Sequence, residues 1–170
     1  IRVSLETSYC ILNAFNILIM KLIKQTLTEI SQNFNALLEQ SVPNIEEASK
    51  LLIKSLQNGG KIMFCGNGGS ASDAQHLSAE LVGRYRKNRK PIASVALTTD
   101  TSVITAVSND FSFDDIFSRQ VESIGNEGDI LYAISTSSKS KNVINALKIA
   151  KKLNIKTLGI TGNDDSGVKE

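Results

Sequence analysis

With 170 residues, 41% of them hydrophobic, the chain has enough apolar material for one compact domain with a well-buried core. Its 19 basic and 17 acidic residues leave a formal net charge of +2, and the basic run at 84–90 has no second basic patch beside it, so we expect a solvated helix end and no nucleic-acid partner. The apolar stretch 10–20 is interrupted by asparagines and is shorter than the roughly 20 residues that span a bilayer, which argues against a membrane segment.

In the N-terminal part of the chain, the residue pattern predicts a helix that follows a short extension. Residues 1–19 do not follow the pattern of the next segment, and we interpret them as an extension before a natural start at Met20, so that the domain covers 20–170. In residues 21–40 apolar side chains recur at steps of three and four, which predicts a helix with one buried face that ends before Pro43.

A second helix is predicted immediately afterwards. Asn44 and Glu47 have the spacing of a capping box, and Ala48, Leu51, Leu52 and Leu56 follow at helical steps. The pair at 59–60, two glycines, is expected to end this helix. Two helices therefore precede the first strand.

The rest of the chain alternates short apolar runs with segments of helical composition. This alternation predicts right-handed crossovers and a parallel sheet with helices on both faces, an α/β fold. The runs are continuous, which is typical of strands that are covered on both sides. The predicted strands are 61–65, 92–97, 130–134 and 156–160.

The two cysteines lie far apart in the sequence, at Cys10 and Cys65. Because Cys65 ends an apolar run, we interpret it as a buried thiol in a reducing compartment and not as half of a disulfide. No small-residue cleavage site follows the apolar N-terminal stretch, so secretion is not expected. We therefore expect a cytoplasmic protein.

Polar, glycine-rich or hydroxyl-rich segments follow all four predicted strands, where open α/β sheets bind ligands. The segment 135–140 carries five hydroxyls directly before a helix predicted to begin near Asn142, and hydroxyls at a helix N-terminus can hold a phosphate. A serine-rich turn that only caps the helix is the alternative. The matching glycine loop at 66–70 favours a ligand.

A nicotinamide cofactor is a further alternative, because Gly66, Gly68 and Ala71 fit a relaxed dinucleotide fingerprint. That fingerprint expects an acidic residue about 20 positions later to hold the ribose. Here Asp100 is some thirty residues beyond the glycines, which argues against a dehydrogenase. The sequence also has no Gly-Lys-Ser or Gly-Lys-Thr of the Walker type.

The helix predicted after the glycine loop carries two candidate functional side chains. Ser70 or Ser72 is expected to cap this helix, and His76 and Glu80, four residues apart, share one face. Such a pair is often a plain surface pair. It also suits a divalent metal, although zinc needs three or four protein ligands, and the carboxylate could act as a general base next to a sugar carbonyl.

Three segments together resemble the sugar isomerase (SIS) family and, within it, the phosphoheptose isomerases: "CGNGGSASDAQHLSAELVGRY", "SNDFSFDDIFSRQVE" and "ISTSSKSKNVINAL". The likeness runs from about residue 20 to residue 162. It implies a flavodoxin-like three-layer sandwich with a parallel sheet, preceded by two N-terminal helices and assembled as a homotetramer. The implied activity is the isomerisation of sedoheptulose 7-phosphate to a manno-heptose 7-phosphate through an enediol, the first step of bacterial ADP- or GDP-heptose synthesis.

The resemblance also implies roles for individual residues. His76 and Glu80 match two zinc ligands, Glu80 matches the proton-abstracting base, and Arg84 would help to hold the sugar. Glu80 would work on the carbon chain of a sugar whose phosphate is held in the same cleft. The substrate contacts implied are Asn67, Gly68, Gly69, Glu80, Asn109 and Asp110, with Ser135, Thr136, Ser137 and Ser140 at the phosphate.

The sequence departs from the family pattern in two places. Ser138 and Lys139 stand where the family usually has Gly-Asn, so Ser138 is expected at a backbone position that needs a positive φ. The family continues past position 170 with a segment that supplies a Gln and a His, so the chain is expected to be truncated, with its remaining zinc ligands in that segment. A non-catalytic SIS protein that associates with the replication initiator is the alternative function; such relatives tend to lack the glutamate, so Glu80 favours the enzyme.

Overall fold

The computed structural model describes residues 5–162, with side chains from residue 15 onward, so the thiol of Cys10 lies outside the described side chains. The chain divides into two compact units at Glu47/Ala48, and each is described separately. The elements in order are α1 (Leu5–Gln40), α2 (Val42–Gln57), β1 (Ile62–Gly66), α3 (Gly69–Val82), β2 (Ser94–Ala96), α4 (Thr101–Asp110), a 3₁₀ turn (Phe113–Asp115), α5 (Ser118–Ile124), β3 (Ile130–Ser135), α6 (Lys141–Lys152) and β4 (Lys156–Thr161).

The first unit is dominated by α1, a single helix of 36 residues. It passes through Met20 without a break, so no structural boundary marks the predicted extension at 1–19. The domain start at Met20 itself stays a prediction. The expected burial of one face is wrong for the single chain, because the apolar side chains at helical steps are all exposed: Leu22, Ile23, Leu27, Ile30, Phe34, Leu37 and Leu38.

The second helix begins earlier than predicted. Helix α2 starts at Val42, so Pro43 lies in its first turn, where the missing N–H of proline costs no helical hydrogen bond. Asn44 is therefore inside the helix and does not cap it. The predicted end is confirmed: the helix stops at Gln57, and Gly59 adopts a φ of +83°.

The predicted sheet is confirmed in its strands and its direction. Four parallel strands lie in the order β2-β1-β3-β4. Strand β1 is central and fully buried, and its last residue, Gly66, is paired with Ile134 of β3. This register places the glycine loop after β1 beside the serine loop after β3.

Helices cover both faces of the sheet, which confirms the three-layer α/β fold. On one face α4, α5 and α6 pack through Val107, Val121 and Val143, and on the other Leu52 of α2 packs with Ala74 of α3. Strand β4 departs from the expectation of cover on both sides. Of its six residues, four are exposed.

The amino-terminal edge of the sheet is held by a buried carboxylate that the sequence pattern did not indicate. Asp129, 3% exposed, accepts hydrogen bonds from the backbone N–H groups of Lys61 and Asn126 and from the Lys61 ammonium. Ser55 donates to the carbonyl of Gly128 beside it. These bonds hold the N-terminal ends of β1 and β3 next to each other.

None of the helices in the described part of the chain combines the length and the apolar character needed to cross a bilayer.

Candidate functional site

The glycine loop after β1 combines a crowded position with open ones. A Cβ on Gly66 would lie 2.8 Å from the Ser70 carbonyl oxygen and 2.9 Å from that of Ile134, so no larger residue fits there. Gly68 has a φ of +56°, and a Cβ on Gly68 or Gly69 would point into open space. The loop thus presents bare backbone at the carboxyl edge of the sheet.

Helix α3 starts directly in this loop. Its N-cap is Gly68, which has no side chain to accept a hydrogen bond from the first turn. The predicted caps Ser70 and Ser72 lie inside the helix, so that prediction is wrong. The first backbone N–H groups of α3 therefore have no side-chain cap, which is the arrangement that suits an anion or a polar ligand.

The serine loop after β3 presents hydroxyls in front of α6, which begins at Lys141. Thr136 and Ser137 are exposed, while Ser135 is 5% exposed and donates from Oγ to Ser140 Oγ at 3.3 Å. Ser140 is the N-cap of α6, but its side chain accepts no hydrogen bond from the first turn. This second uncapped helix start, with hydroxyls around it, is the predicted phosphate cradle.

Ser138 occupies the strained position expected from the family pattern. Its φ is +56°, a value that favours glycine, so the predicted positive φ is confirmed. The side chain is fully buried, and its Oγ has no hydrogen-bond partner among the described residues. Lys139 follows and donates its N–H to Ser137 Oγ at 3.3 Å.

A pair of asparagines joins the two loops. Asn67 Nδ2 donates to Asn142 Oδ1 at 2.9 Å, and Asn142 Nδ2 donates back to Asn67 Oδ1 at 2.8 Å. Asn67 was predicted as a substrate contact. Asn142, 2% exposed, was noted only as a helix start, and no local pattern marks a partner that is 75 positions away in the sequence.

The other side of the serine loop is closed by the end of β4. Gly162 donates its N–H to the carbonyl of Thr136 at 3.2 Å, and a Cβ there would lie 2.6 Å from that oxygen. The serine loop is thus held on one side by Asn67, which follows β1, and on the other by Gly162, which follows β4.

His76 and Glu80 lie on one face of α3, as predicted. His76 Nε2 is 3.7 Å from Glu80 Oε1, and 73% of the His76 side chain is exposed. Glu80 Oε2 is buried and has no hydrogen-bond partner within the described residues. Both residues line a cavity of about 710 Å³.

This cavity is otherwise largely apolar. Its wall includes Leu52 of α2, Leu81 of α3, and Phe64 and Tyr132 from the sheet, whose rings are 5.3 Å apart. Burial raises the pKa of the Tyr132 hydroxyl. The hydrophobic wall leaves the Glu80 carboxylate in surroundings with few polar partners.

The structure does not bring Glu80 to the serine loop within one chain. Glu80 lies eleven positions after Gly69 in α3, which corresponds to about 16 Å along the helix axis. The Ser78 hydroxyl is 3.1 Å from that of Ser94, the first residue of β2, so this part of α3 lies at the amino edge of the sheet. The loops lie at the opposite, carboxyl edge, and the predicted single cleft is not formed by one chain.

The basic run 84–90 after α3 is exposed, as predicted, and one of its arginines bonds to the C-terminal end of the helix. Arg89 donates to the backbone carbonyls of Glu80 and Leu81, which have no helical partner. Arg84, expected to hold the sugar, donates to the side chain of Asn88 at 3.0 Å. Arg89 was not singled out from the sequence, because the return of the chain to the helix end is not a local pattern.

Asn109 and Asp110 lie at the exposed C-terminal end of α4, where Asn109 Nδ2 donates to Asp110 Oδ1 at 2.8 Å. The chain then turns towards α6. Asn145 donates to the Asp114 carbonyl at 3.0 Å, and Lys141 Nζ is 3.8 Å from Asp114 Oδ2. The segment is thus tied to the first turns of the helix that follows the serine loop.

Comparisons with known proteins agree with the fold described above. The SIS domain family matches residues 26–162. A phosphoheptose isomerase of Aliarcobacter butzleri is 54% identical over 74% of the chain and 67% of its own length, and one of Campylobacter jejuni is 58% identical over 69% and 63%. The solved phosphoheptose isomerase of Neisseria gonorrhoeae is 41% identical, with a TM-score of 0.77 over 87% of the chain and 79% of that protein. The chain belongs to the phosphoheptose isomerases.

Zinc, implied by resemblance to this family, fits the described residues only in part. The His76 imidazole and the Glu80 carboxylate are suitable donors at helical spacing, and the unpaired Glu80 Oε2 is an orphaned acceptor that a cation would satisfy. Within residues 15–162, however, no cluster of three or more His, Cys, Asp or Glu side chains is suitably placed to hold a metal ion. The pair would provide only two of the three or four ligands that such a site requires.

Proposed function

We propose that this chain interconverts sedoheptulose 7-phosphate and D-glycero-D-manno-heptose 7-phosphate in the cytoplasm, at the start of bacterial heptose synthesis. The observation that carries the proposal is the pair of uncapped helix starts, at α3 and α6, that stand side by side at the carboxyl edge of the sheet. Relatives named phosphoheptose isomerase at 45–58% identity support the substrate class.

The phosphate is the part of the substrate that suits the serine loop. The exposed hydroxyls of Thr136 and Ser137, together with the N–H groups at the start of α6, supply neutral donors and the positive end of a helix dipole. The sugar hydroxyls would then reach the bare backbone at Gly68 and Gly69, where no side chain stands in the way.

Glu80 supplies the base. An aldose–ketose exchange removes a proton from C1 of the ketose and adds one to the C2 oxygen, which forms an enediol. A proton then returns to C2, and the C1 hydroxyl loses its proton as C1 becomes the aldehyde. A carboxylate with an unpaired oxygen in a largely apolar wall is suited to carry that proton between the two carbons.

Zinc is part of the proposal. His76 and one carboxylate oxygen of Glu80 would hold it, which leaves the other oxygen for the proton, and its role as a Lewis acid would be to polarise the substrate oxygens next to the carbons that exchange the proton.

Assembly of more than one copy, a homotetramer as the family resemblance implies, is proposed because one chain separates the two parts of the site. A seven-carbon sugar phosphate is shorter than the about 16 Å of helix axis between Gly69 and Glu80, so Glu80 would act on sugar held in the cradle of a second copy. The exposed apolar stripe of α1 supports assembly, since contiguous apolar patches mark interaction surfaces.

The test uses Glu80→Gln, with Asp73→Asn on an exposed position of the same helix as its control. Turnover of sedoheptulose 7-phosphate, followed by ¹³C NMR, is expected to fall at least about a hundredfold in the first variant, the order of a lost general base, and to persist in the second. Undiminished turnover in Glu80→Gln would remove that residue from the role of base.

The proposal that each site combines residues of two chains can be tested in the same assay. Ser137→Asp places a negative charge in the cradle and is expected to be inactive because it repels the phosphate. Unfolding and refolding it together with Glu80→Gln should restore part of the activity, since mixed assemblies contain sites with both residues intact. If the mixture stays inactive while each variant remains oligomeric, the two parts of the site do not come from different chains.

A further inference from the structure

The two loops of the proposed site are joined by one reciprocal side-chain contact. Each amide of Asn67 and Asn142 donates one hydrogen bond to the other, at 2.9 and 2.8 Å. Asn67 follows β1 and Asn142 lies in the first turn of α6, so the contact spans the gap between the two helix starts.

The orientation of the pair is fixed from the α6 side. The backbone N–H of Val143 donates to Asn142 Oδ1 at 2.9 Å, so the oxygen of that amide must face the donor and its NH₂ group must face Asn67. Asn142 is 2% exposed and Val143 is fully buried, so this end is rigid. Asn67 is half-buried and takes the complementary orientation.

The glycine loop needs such an anchor. Gly68 and Gly69 have no side chains to pack, Gly68 adopts a positive φ, and their positions face open space. We infer that Asn142 is a positioning residue for the proposed sugar-phosphate site: through Asn67 it sets the distance between the backbone at Gly68–Gly69 and the serine loop. The inference rests on the proposed function.

It also changes the role expected of Asn67. One donor and one acceptor of its amide are committed to Asn142, so this side chain acts mainly as an anchor and the loop backbone meets the substrate. Loss of either asparagine then has the same effect on the glycine loop, because each leaves it unanchored; loss of Asn142 also removes the acceptor of the Val143 N–H. The loss should weaken substrate binding in the ground state and the transition state alike, which raises KM and leaves kcat nearly unchanged.

The experiment is a double-mutant cycle with Asn67→Ala, Asn142→Ala and the double variant. Asn145→Ala is the matched control: it lies on the same helix and also loses one side-chain bond to another element, the Asp114 carbonyl. KM for sedoheptulose 7-phosphate is expected to rise on the order of tenfold in both single variants and no further in the double variant, with kcat within about threefold. Asn145→Ala is expected to lose thermal stability and keep its KM.

A second probe separates this inference from the proposed function. Binding of a heptitol 7-phosphate, which can reach both loops but has no carbonyl to isomerise, is measured by calorimetry. It should weaken equally in the two single variants and in the double variant, whether or not the wild-type chain isomerises heptose phosphates. An inactive wild type with this pattern refutes the proposed function and supports the anchor. The anchor is refuted if Asn142→Ala behaves like Asn145→Ala, or if Asn67→Ala exceeds Asn142→Ala and the two effects add, because Asn67 would then contact the ligand itself.

Discussion

Replacement of Ser138 by glycine is expected to stabilise the fold, because two unfavourable features meet at this residue. A left-handed conformation, here φ +56°, costs a residue with a Cβ about 1–2 kcal/mol. A buried hydroxyl without a partner costs about 1–3 kcal/mol. Glycine removes both.

Two opposing terms reduce the gain. Glycine gives the unfolded chain more freedom, at about 0.5–1 kcal/mol, and the lost methylene forfeits about 0.8 kcal/mol of burial. The net expectation is a gain of about 2 kcal/mol, or a rise in Tm of about 4–8 °C for a chain of this size. Urea unfolding and thermal scans measure both quantities.

Two further variants separate the causes. Ser138→Ala keeps the strained backbone and the Cβ and removes only the hydroxyl, so its gain in stability reports the cost of the unpaired hydroxyl alone, about 1–3 kcal/mol. Asn154→Gly is the matched control: Asn154 has a φ of +57°, but it is exposed, and asparagine tolerates this conformation. It should change stability by less than about 0.5 kcal/mol. If Ser138→Gly raises the free energy of unfolding no more than Asn154→Gly does, neither backbone strain nor an unpaired hydroxyl destabilises the serine loop.

Two other predictions concern the buried groups of the sheet. Asp129→Ala is expected to lower the free energy of unfolding by about 3 kcal/mol, because it leaves Lys61 and two backbone N–H groups without their acceptor. Asp114→Ala, which removes an exposed ion pair at 3.8 Å, should lower it by less than about 1 kcal/mol. Equal losses of the two variants in urea unfolding would contradict the stabilising role of the buried network. Burial raises the pKa of the Cys65 thiol from 9.0 to about 12, so the folded thiol stays protonated where the unfolded one ionises. The contribution of the thiol to stability should therefore fall by about 1.4 kcal/mol per pH unit between pH 9 and about pH 12. Cys65→Ala should lack that part of the slope, and an unchanged slope would show that the thiol does not contribute.

The architecture of the second unit could be predicted because its signals are local. Four continuous apolar runs gave four parallel strands, and the glycine pair at 59–60 ended α2 where expected. The positive φ of Ser138 followed from the family pattern, since a glycine position keeps its backbone geometry when the residue changes. Cys65 is buried, as the apolar run around it indicated.

The failures were of two physical kinds. Helix ends depend on weak preferences. Proline is as acceptable in the first turn of a helix, where Pro43 lies, as just after the last turn of the preceding one. Residues 5–20 are also compatible with the helix that continues through residue 40, so their composition did not reveal that they belong to it. Long-range polar contacts leave no periodic trace, so neither the Asn67–Asn142 pair nor the Lys61–Asp129 network could be found from spacing.

The separation of Glu80 from the cradle follows from the fold class itself. In a parallel sheet with right-handed crossovers, the helix after a strand starts at the carboxyl edge and returns to the amino edge. A residue eleven positions into α3 must therefore lie about 16 Å from the glycine loop, whatever its chemistry. In the proposed assembly, the motif that joins Gly68 to Glu80 in sequence would therefore supply two half-sites. Its two ends can act on one sugar when two chains face each other, and this is why the mixed-variant test bears on the mechanism as directly as the loss of the carboxylate.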